Sequence, residues 1–238
     1  MHIFIAIPSG GLSHAWFARS LANMVARATR EGVTDSQGKL VQPLITTHVE
    51  LGKLPMVRNK LLHLGMESGA SHMLWLDDDH IFPDWTLARL TLANREIIGI
   101  NQPSRSRPHV PTARSVQGQR LYGAEELAKQ GLMEQVGSIG FAVVLMQMGI
   151  IPKLQAAANQ RGGSLFPLFD FTLTDDPDIS GGEDAFFCAR CSEAGIRIHV
   201  DHMTSWATWH IAELPIGMRE AIHDRDIVEG KVPAAPQR

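Results

Sequence analysis

The run Leu74-Trp75-Leu76-Asp77-Asp78-Asp79-His80 passes abruptly from apolar residues to three adjacent carboxylates. Neighbouring carboxylates repel one another and are seldom buried without a partner, so a strand that delivers them to its end is expected to meet a cation there. Alternation along a strand would let Asp77 and Asp79 point the same way. Oxygen ligands suit hard divalent ions such as Mg²⁺ or Mn²⁺, which are often shared with substrate phosphates. This chemistry implies an enzyme that handles a diphosphate. The competing reading is a solvated acidic turn, or a helix start before Pro83 with Asp79 as its cap.

Other chemistry-bearing residues are scattered along the chain. Ser9, after Pro8 and with the backbone amides of Gly10 and Gly11, offers a cradle for a nucleotide phosphate. Arg58 can fork onto a phosphate or a carboxylate, or serve as a surface ion pair at a helix start. Glu183 and Asp184 follow Gly181-Gly182 where a helix begins, a place that also favours carboxylates through the helix dipole. From Ile97 to Ala124 there is no acidic residue, while Arg105, Arg107, Arg114 and Arg120 all fall inside. Such a stretch is either an arginine-bearing element beside a phosphate site or a solvated loop.

The elements that must position these groups follow from periodicity. Residues 3–7 predict a buried strand closed by Pro8-Ser9-Gly10-Gly11, then a helix to about Arg30 with Ser13 as cap and Trp16, Leu21, Met24 and Val25 inward. Leu44–Leu51 predicts a strand, Pro55 to about Ser68 a helix ended by Gly69, His72–Leu76 a strand, and a further helix is expected near Pro83. Glu96–Ile100, Ala142–Met146 and Ile196–Val200 predict strands, and Glu183–Ala194 a helix. Alternation of this kind implies an α/β fold with a mostly parallel central sheet flanked by helices. Ligands in such sheets collect outside the carboxyl ends of the strands, where Pro8-Ser9-Gly10 and Asp77–Asp79 would lie.

Composition narrows the class. At 238 residues, 44% hydrophobic and 20% charged, the chain can bury a sizeable core. A net charge of −3 argues against non-specific nucleic-acid binding, and none is expected. Cys188 and Cys191, the only cysteines, supply no disulfide framework or four-cysteine zinc site; three apart on a helix, they read as buried small hydrophobes. With no signal peptide at the start and no transmembrane segment, the chain reads as cytoplasmic. One domain is expected over residues 1–229, divided into a nucleotide-binding lobe (1–100), an acceptor lobe (101–212) and a C-terminal helical segment (213–229), with a disordered tail at 230–238.

Taken in order, six landmarks resemble the nucleotide-sugar-dependent glycosyltransferases of the GT-A fold, particularly small bacterial and phage members similar to family 2. They are the strand ending Ile5-Ala6-Ile7-Pro8-Ser9; Leu54-Pro55-Met56-Val57-Arg58-Asn59; the Asp-x-Asp motif in Asp77-Asp78-Asp79; Gly137-Ser138-Ile139-Gly140-Phe141; Gly181-Gly182-Glu183-Asp184-Ala185-Phe186-Phe187-Cys188; and Trp209-His210. The resemblance spans roughly residues 3 to 212. Asp78, the extra carboxylate, and His80 go beyond what the motif requires, and the acceptor lobe is short.

The resemblance implies a metal-dependent transfer of a sugar from a nucleoside-diphosphate sugar to a hydroxyl on an unknown carbohydrate, lipid-linked or protein acceptor. It implies that Asp79 binds the ion directly and that Asp77 acts through the ion or the ribose hydroxyls. His210 would supply a nitrogen ligand, which favours Mn²⁺ over Mg²⁺; His80 and His202 are rivals for that place. Pro8, Ser9, Arg58, Asn59, Asp77 and Asp78 would line the donor pocket. Asp184 would be the general base of an inverting reaction, with Glu183 positioning acceptor hydroxyls. Two alternatives stay open: a metal-dependent nucleotidyl- or phosphotransferase, and a non-catalytic nucleotide-sugar-binding protein of the same fold.

Overall fold

The computed structural model describes residues 1–172, 181–212 and 215–232. The chain opens with β1 (His2–Ser9), whose residues 3–9 are all buried, as expected of a strand covered on both faces. Helix α1 (Ala15–Glu31) lays Phe17, Ser20, Met24 and Ala28 inward at helical spacing. Trp16, expected inward, is 59% exposed, because the buried stripe is set by Phe17 one residue later. The residue flanking the helix start is His14, not Ser13, and no side chain caps it. Two short strands, β2 (Val33–Thr34) and β3 (Leu40–Val41), form a separate hairpin before β4 (Leu44–Leu51). Helix α2 (Leu54–Glu67) carries Pro55 in its first turn, where a missing N–H is harmless.

Next come β5 (His72–Leu76), β6 (His80–Ile81), α3 (Thr86–Leu92), β7 (Ile97–Gly99), α4 (Glu125–Lys129), β8 (Met133–Val136), β9 (Val143–Gln147) and α5 (Ile151–Gln160). The chain closes with α6 (Glu183–Glu193), β10 (Ile198–Asp201), α7 (His202–Ala207), β11 (Trp209–Ile211), β12 (Pro215–Ile216) and α8 (Met218–Val228). The first helical turn after Pro83 starts at Thr86, three residues beyond the proline. Of the tail expected to be disordered, residues 233–238 lie outside the described residues, whereas the last turn runs on through Val232.

One seven-stranded sheet, ordered β4-β1-β5-β9-β7-β10-β8, forms the centre. From the pairings, β4, β1, β5, β7 and β10 run one way, and β9 and β8 run against them. The sheet is therefore mostly parallel, with β9 threaded antiparallel between β5 and β7. Gly99 permits that close approach: a Cβ there would meet the Val143 carbonyl oxygen at 2.8 Å and Val144 Cγ2 at 2.7 Å. Alternation along β5 divides the core into two layers. Met73 and Trp75 join Phe4, Leu61, Phe141, Phe169 and Phe187 on one face. Leu74 and Leu76 join Ile3, Ile5, Phe17, Met24 and Leu87 on the other.

Cys188 and Cys191 are free and buried, and burial pushes the Cys188 thiol up to about 12, so neither behaves as an activated nucleophile. Among the described residues, no helix is long and apolar enough to cross a membrane.

Candidate functional site

The carboxyl ends of β1 and β5 lie side by side, because the two strands are parallel neighbours. They open onto a cleft of about 470 Å³ lined by Pro8, Ser9, Gly10, Asp77, Asp78, Asp79, His80, Gln102, Arg105 and His210, among others. This is a suitable size for a small ligand. Beyond Leu76 the chain leaves the sheet, so the strand's two-residue alternation no longer governs the carboxylates. Each takes a different partner: Asp77 turns to Arg58, Asp78 to Ser9, and Asp79 to two histidines.

Asp79 is brought to its histidines by a second, three-stranded sheet, β12-β11-β6. Its register sets His210 of β11 directly opposite His80 of β6, and the two rings stack with centroids 4.2 Å apart. His210 Nε2 lies 3.2 Å from Asp79 Oδ2, and His80 Nδ1 lies 2.8 Å from Asp79 Oδ1. One ligand atom from each of Asp79, His80 and His210 falls within 4.8 Å of the others, a grouping that could hold a metal ion.

The donor set fits a divalent ion on a further observation. His210 Nδ1 is 2.8 Å from the Pro103 carbonyl oxygen, which can only accept, so Nδ1 carries the proton of the neutral ring. Nε2 then points a lone pair at a carboxylate oxygen, an arrangement that repels unless a proton or a cation lies between them. A histidine whose far nitrogen donates to a carbonyl is the usual support for a metal ligand. His80 is buried and neither of its ring nitrogens has a well-aligned hydrogen-bond partner; its contact with Asp79 lies off the N–H direction. Burial lowers the His80 pKa, against the raising effect of Asp79, and so keeps a lone pair free. Burial tends to raise the pKa of Asp79, but the neighbouring His210 and His80 rings outweigh it and hold the group far below the usual carboxylate range. Asp79 is therefore an anion throughout the physiological range.

On the opposite lip, Ser9 Oγ donates to Asp78 Oδ2 at 2.5 Å and accepts from the Gly11 amide at 3.1 Å. The Asp78 backbone oxygen also accepts from the His14 amide at 3.4 Å. Asp78 thus ties the loop after β1 to the end of β5. Pro8, Ser9 and Gly10 line the cleft.

Behind Asp77 lies a buried charge network. Arg58 sits on the inward face of α2 with 1% of its side chain exposed, and it faces Asp77 at 3.0 Å, Glu183 at 3.3 Å and Asp184 at 3.6 Å. The rings of Trp75, Phe141 and Phe169 stand 5.5–5.9 Å from its guanidinium carbon. One cation therefore links helix α2, the end of β5 and the start of α6. Asp184 Oδ2 accepts from the Phe141 amide at 3.1 Å, while Oδ1 has no aligned donor. Burial, opposed by Arg58 but reinforced by Glu183 and Asp77, pushes the Asp184 carboxyl up to about 7. Burial likewise raises Asp77, with Arg58 opposing it.

Several sequence expectations change at this point. Asp77 does not join the ligand cluster of Asp79, His80 and His210 among the described residues; it lines the cleft while paired to Arg58. Arg58 is enclosed by carboxylates and rings and is absent from the cleft wall, and Glu183 is its buried partner. Asn59 clamps the chain at 168–169: its Nδ2 donates to the Phe169 and Pro55 carbonyls at 2.7 Å each, and its Oδ1 accepts from the Leu168 and Phe169 amides. His202 is buried and bonded to Glu134 at 3.1 Å, outside the cluster of Asp79, His80 and His210. Arg105, one of the arginines of the acid-free stretch, lines the cleft, and so does Gln102, to which no sequence signal points.

No family model matches the sequence, and no curated protein matches it. Two of the solved structures that resemble the chain are A197 from STIV and GalNAc-T7. A197 from STIV has a TM-score of 0.58 at 12% identity, with 92% of each chain covered. GalNAc-T7, solved with UDP, GalNAc and Mn²⁺, has a TM-score of 0.52 at 9% identity. That match takes in 95% of this chain but 48% of the other, so the chain spans about half the length of GalNAc-T7. At these identities the likeness shows the fold alone, and that fold is the GT-A α/β arrangement that the sequence landmarks resemble.

Proposed function

We propose that this protein is a divalent-metal-dependent glycosyltransferase, moving a sugar from a nucleoside-diphosphate donor to a hydroxyl acceptor. The observation that carries the reading is the facing pair of Asp79 carboxylate and His210 imidazole, with His80 beside them, on the lip of the cleft at the ends of β1 and β5. Asp79, His210 and His80 would hold the ion, and the imidazoles favour Mn²⁺ over Mg²⁺. A divalent ion there supplies Lewis-acid stabilisation of the charge that develops on the departing diphosphate. Ser9, Gly10 and Asp78 form the wall against which a nucleotide would lie. That GalNAc-T7 was solved with UDP, GalNAc and Mn²⁺ on a similar fold is consistent with such a donor.

Asp184 is the candidate base. A carboxyl raised to about 7 is matched to taking a proton from a hydroxyl near neutral pH, and 27% of the Asp184 side chain is exposed, although Asp184 does not line the cleft. In an inverting transfer it would accept the acceptor's proton, with the Phe141 amide fixing its orientation through Oδ2. Arg58 would hold Asp184 in place through its ion pair, and Glu183 completes that support from inside the core.

A panel of nucleotide sugars, starting with UDP-linked sugars, incubated with Mn²⁺ and with chelator, tests this by product analysis. Free nucleoside diphosphate that depends on Mn²⁺ and is lost in Asp79→Ala supports transfer. Pyrophosphate or monophosphate as product indicates the nucleotidyl- or phosphotransferase chemistry instead, and Mn²⁺-dependent binding without turnover indicates a binding protein.

A further inference from the structure

Asp79 already has a cation of the protein's own. Arg105 Nη1 lies 3.2 Å from Asp79 Oδ2, the same oxygen that faces His210 Nε2. The guanidinium therefore stands at the mouth of the ligand cluster, and its side chain is 61% exposed. Of the other arginines in the acid-free stretch, Arg114 donates to the Gly118 carbonyl and Arg120 to the Pro111 carbonyl, while Arg107 is exposed and does not line the cleft.

The backbone that carries Arg105 is fixed at its base. Pro103 bridges Pro111, and the Ser104 amide donates to the Val110 carbonyl at 2.8 Å, closing a narrow loop over residues 104–110. One end of the loop is bound to the site itself, through the Pro103 carbonyl and His210 Nδ1. The far side is bound to α8, where Asp224 accepts from the His109 amide at 2.8 Å. What remains free to move is the exposed side chain of Arg105. Arg105 is 61% exposed and Asp79 17%, so water screens the arginine end of the pair and only a modest free energy opposes its displacement.

A guanidinium and a divalent cation cannot both take the same carboxylate oxygen without like-charge repulsion. Resting on the metal-dependent reading above, we propose that Arg105 is an internal cation that neutralises Asp79 in the ion-free protein, gives way when a divalent ion takes that oxygen, and then binds the diphosphate of the donor. Once displaced, its planar fork lies beside the cleft wall formed by Ser9, Asp78 and Gln102 and matches a pair of phosphate oxygens. The arginine thereby couples ion binding to diphosphate recognition.

The coupling makes two predictions of opposite sign for one substitution. Mn²⁺ binding to the full chain, read by loss of the free-ion electron paramagnetic resonance signal, is expected to tighten about two- to five-fold in Arg105→Ala, the range set by losing one ion pair whose arginine is solvated. Binding of the Mn²⁺–pyrophosphate complex is expected to weaken about ten-fold or more in the same variant, because a charge-assisted fork is gone. Arg105→Lys keeps the charge and should hold Mn²⁺ affinity near the wild-type value while recovering only part of the pyrophosphate affinity. Arg105→Ala that leaves Mn²⁺ affinity unchanged or weaker overturns the proposal, as does unchanged pyrophosphate binding. Asp79→Asn separates the two levels. If wild-type Mn²⁺ binding is absent or indifferent to Asp79→Asn, the metal reading fails and this inference fails with it; if Asp79→Asn abolishes binding and Arg105→Ala does not tighten it, only the inference fails.

Discussion

Replacing Arg58 with methionine keeps the aliphatic volume on the inward face of α2 but removes the only cation within 4 Å of Asp77, Glu183 and Asp184 among the described residues. Removing one partner of a buried ion pair typically costs about 3–5 kcal/mol, because the remaining charge is left uncompensated. Here Asp77 and Asp184 keep 26% and 27% of their side chains exposed, so water screens part of that cost, whereas Glu183 at 10% does not benefit much. The expected loss is therefore about 3 kcal/mol, or roughly 6–12 °C in Tm for a chain of this length. The pH dependence is the sharper signature. With the cation gone, the already raised pKa values of Asp77 and Asp184 rise further in the folded state. A raised carboxyl pKa contributes stability that is complete below the unfolded value and is lost as pH rises through the folded value. The variant should consequently approach wild-type stability near pH 4 and fall progressively behind it toward pH 7 and above. Adding Glu183→Gln to Arg58→Met should recover part of the loss, giving a coupling between the sites in a double-mutant cycle. Chemical denaturation at several pH values measures all of this. A loss below about 1 kcal/mol that is the same at pH 5 and pH 8 would refute the idea that Arg58 is the electrostatic centre of the fold.

Two further outcomes follow from individual residues. Asp184→Asn is expected to abolish sugar transfer while retaining Mn²⁺-dependent binding of nucleoside diphosphate; in the wild type, kcat/KM should rise as pH passes through about 7 and Asp184 ionises, since burial holds it protonated below that pH. Steady-state kinetics across pH 5.5–8.5 and calorimetry with UDP check the two halves, and a variant that keeps full turnover removes Asp184 from the mechanism. Asn59→Ala should destabilise the protein by about 2–3 kcal/mol, because it strands the buried backbone groups at 168–169. Mn²⁺ affinity should stay unchanged in that variant, and a selective loss of donor binding without destabilisation would return Asn59 to the pocket.

Most of the central fold was legible because its strands are uninterrupted apolar runs. Ile3–Ile7 and Met73–Leu76 are buried on both faces and leave little choice of element or neighbour. The antiparallel insertion of β9 between β5 and β7 was not legible, since its Val143–Met146 run looks the same whichever way the strand points. At the site, residue types were easier to read than partners. Asp77, Asp78 and Asp79 were evident as a cluster, but their separation depends on where β5 ends, and element boundaries are weakly encoded. His210 and His80 meet only through the pairing of β6 with β11, 131 residues apart at the Asp79–His210 contact, which no local pattern specifies. Arg58 illustrates the opposite case. An arginine at a helix start reads naturally as a ligand for phosphate, and only the three-dimensional arrangement brings three carboxylates and three rings around it.

That imidazole and carboxylate share one ion at the end of β5 is tested most directly by pulsed electron paramagnetic resonance of bound Mn²⁺. Electron spin echo modulation should show ¹⁴N coupling from histidine in the wild type, diminished in His210→Ala and absent, together with the bound ion, in Asp79→Asn. A bound Mn²⁺ with an all-oxygen environment, or one whose nitrogen coupling is the same in wild type and His210→Ala, would contradict it.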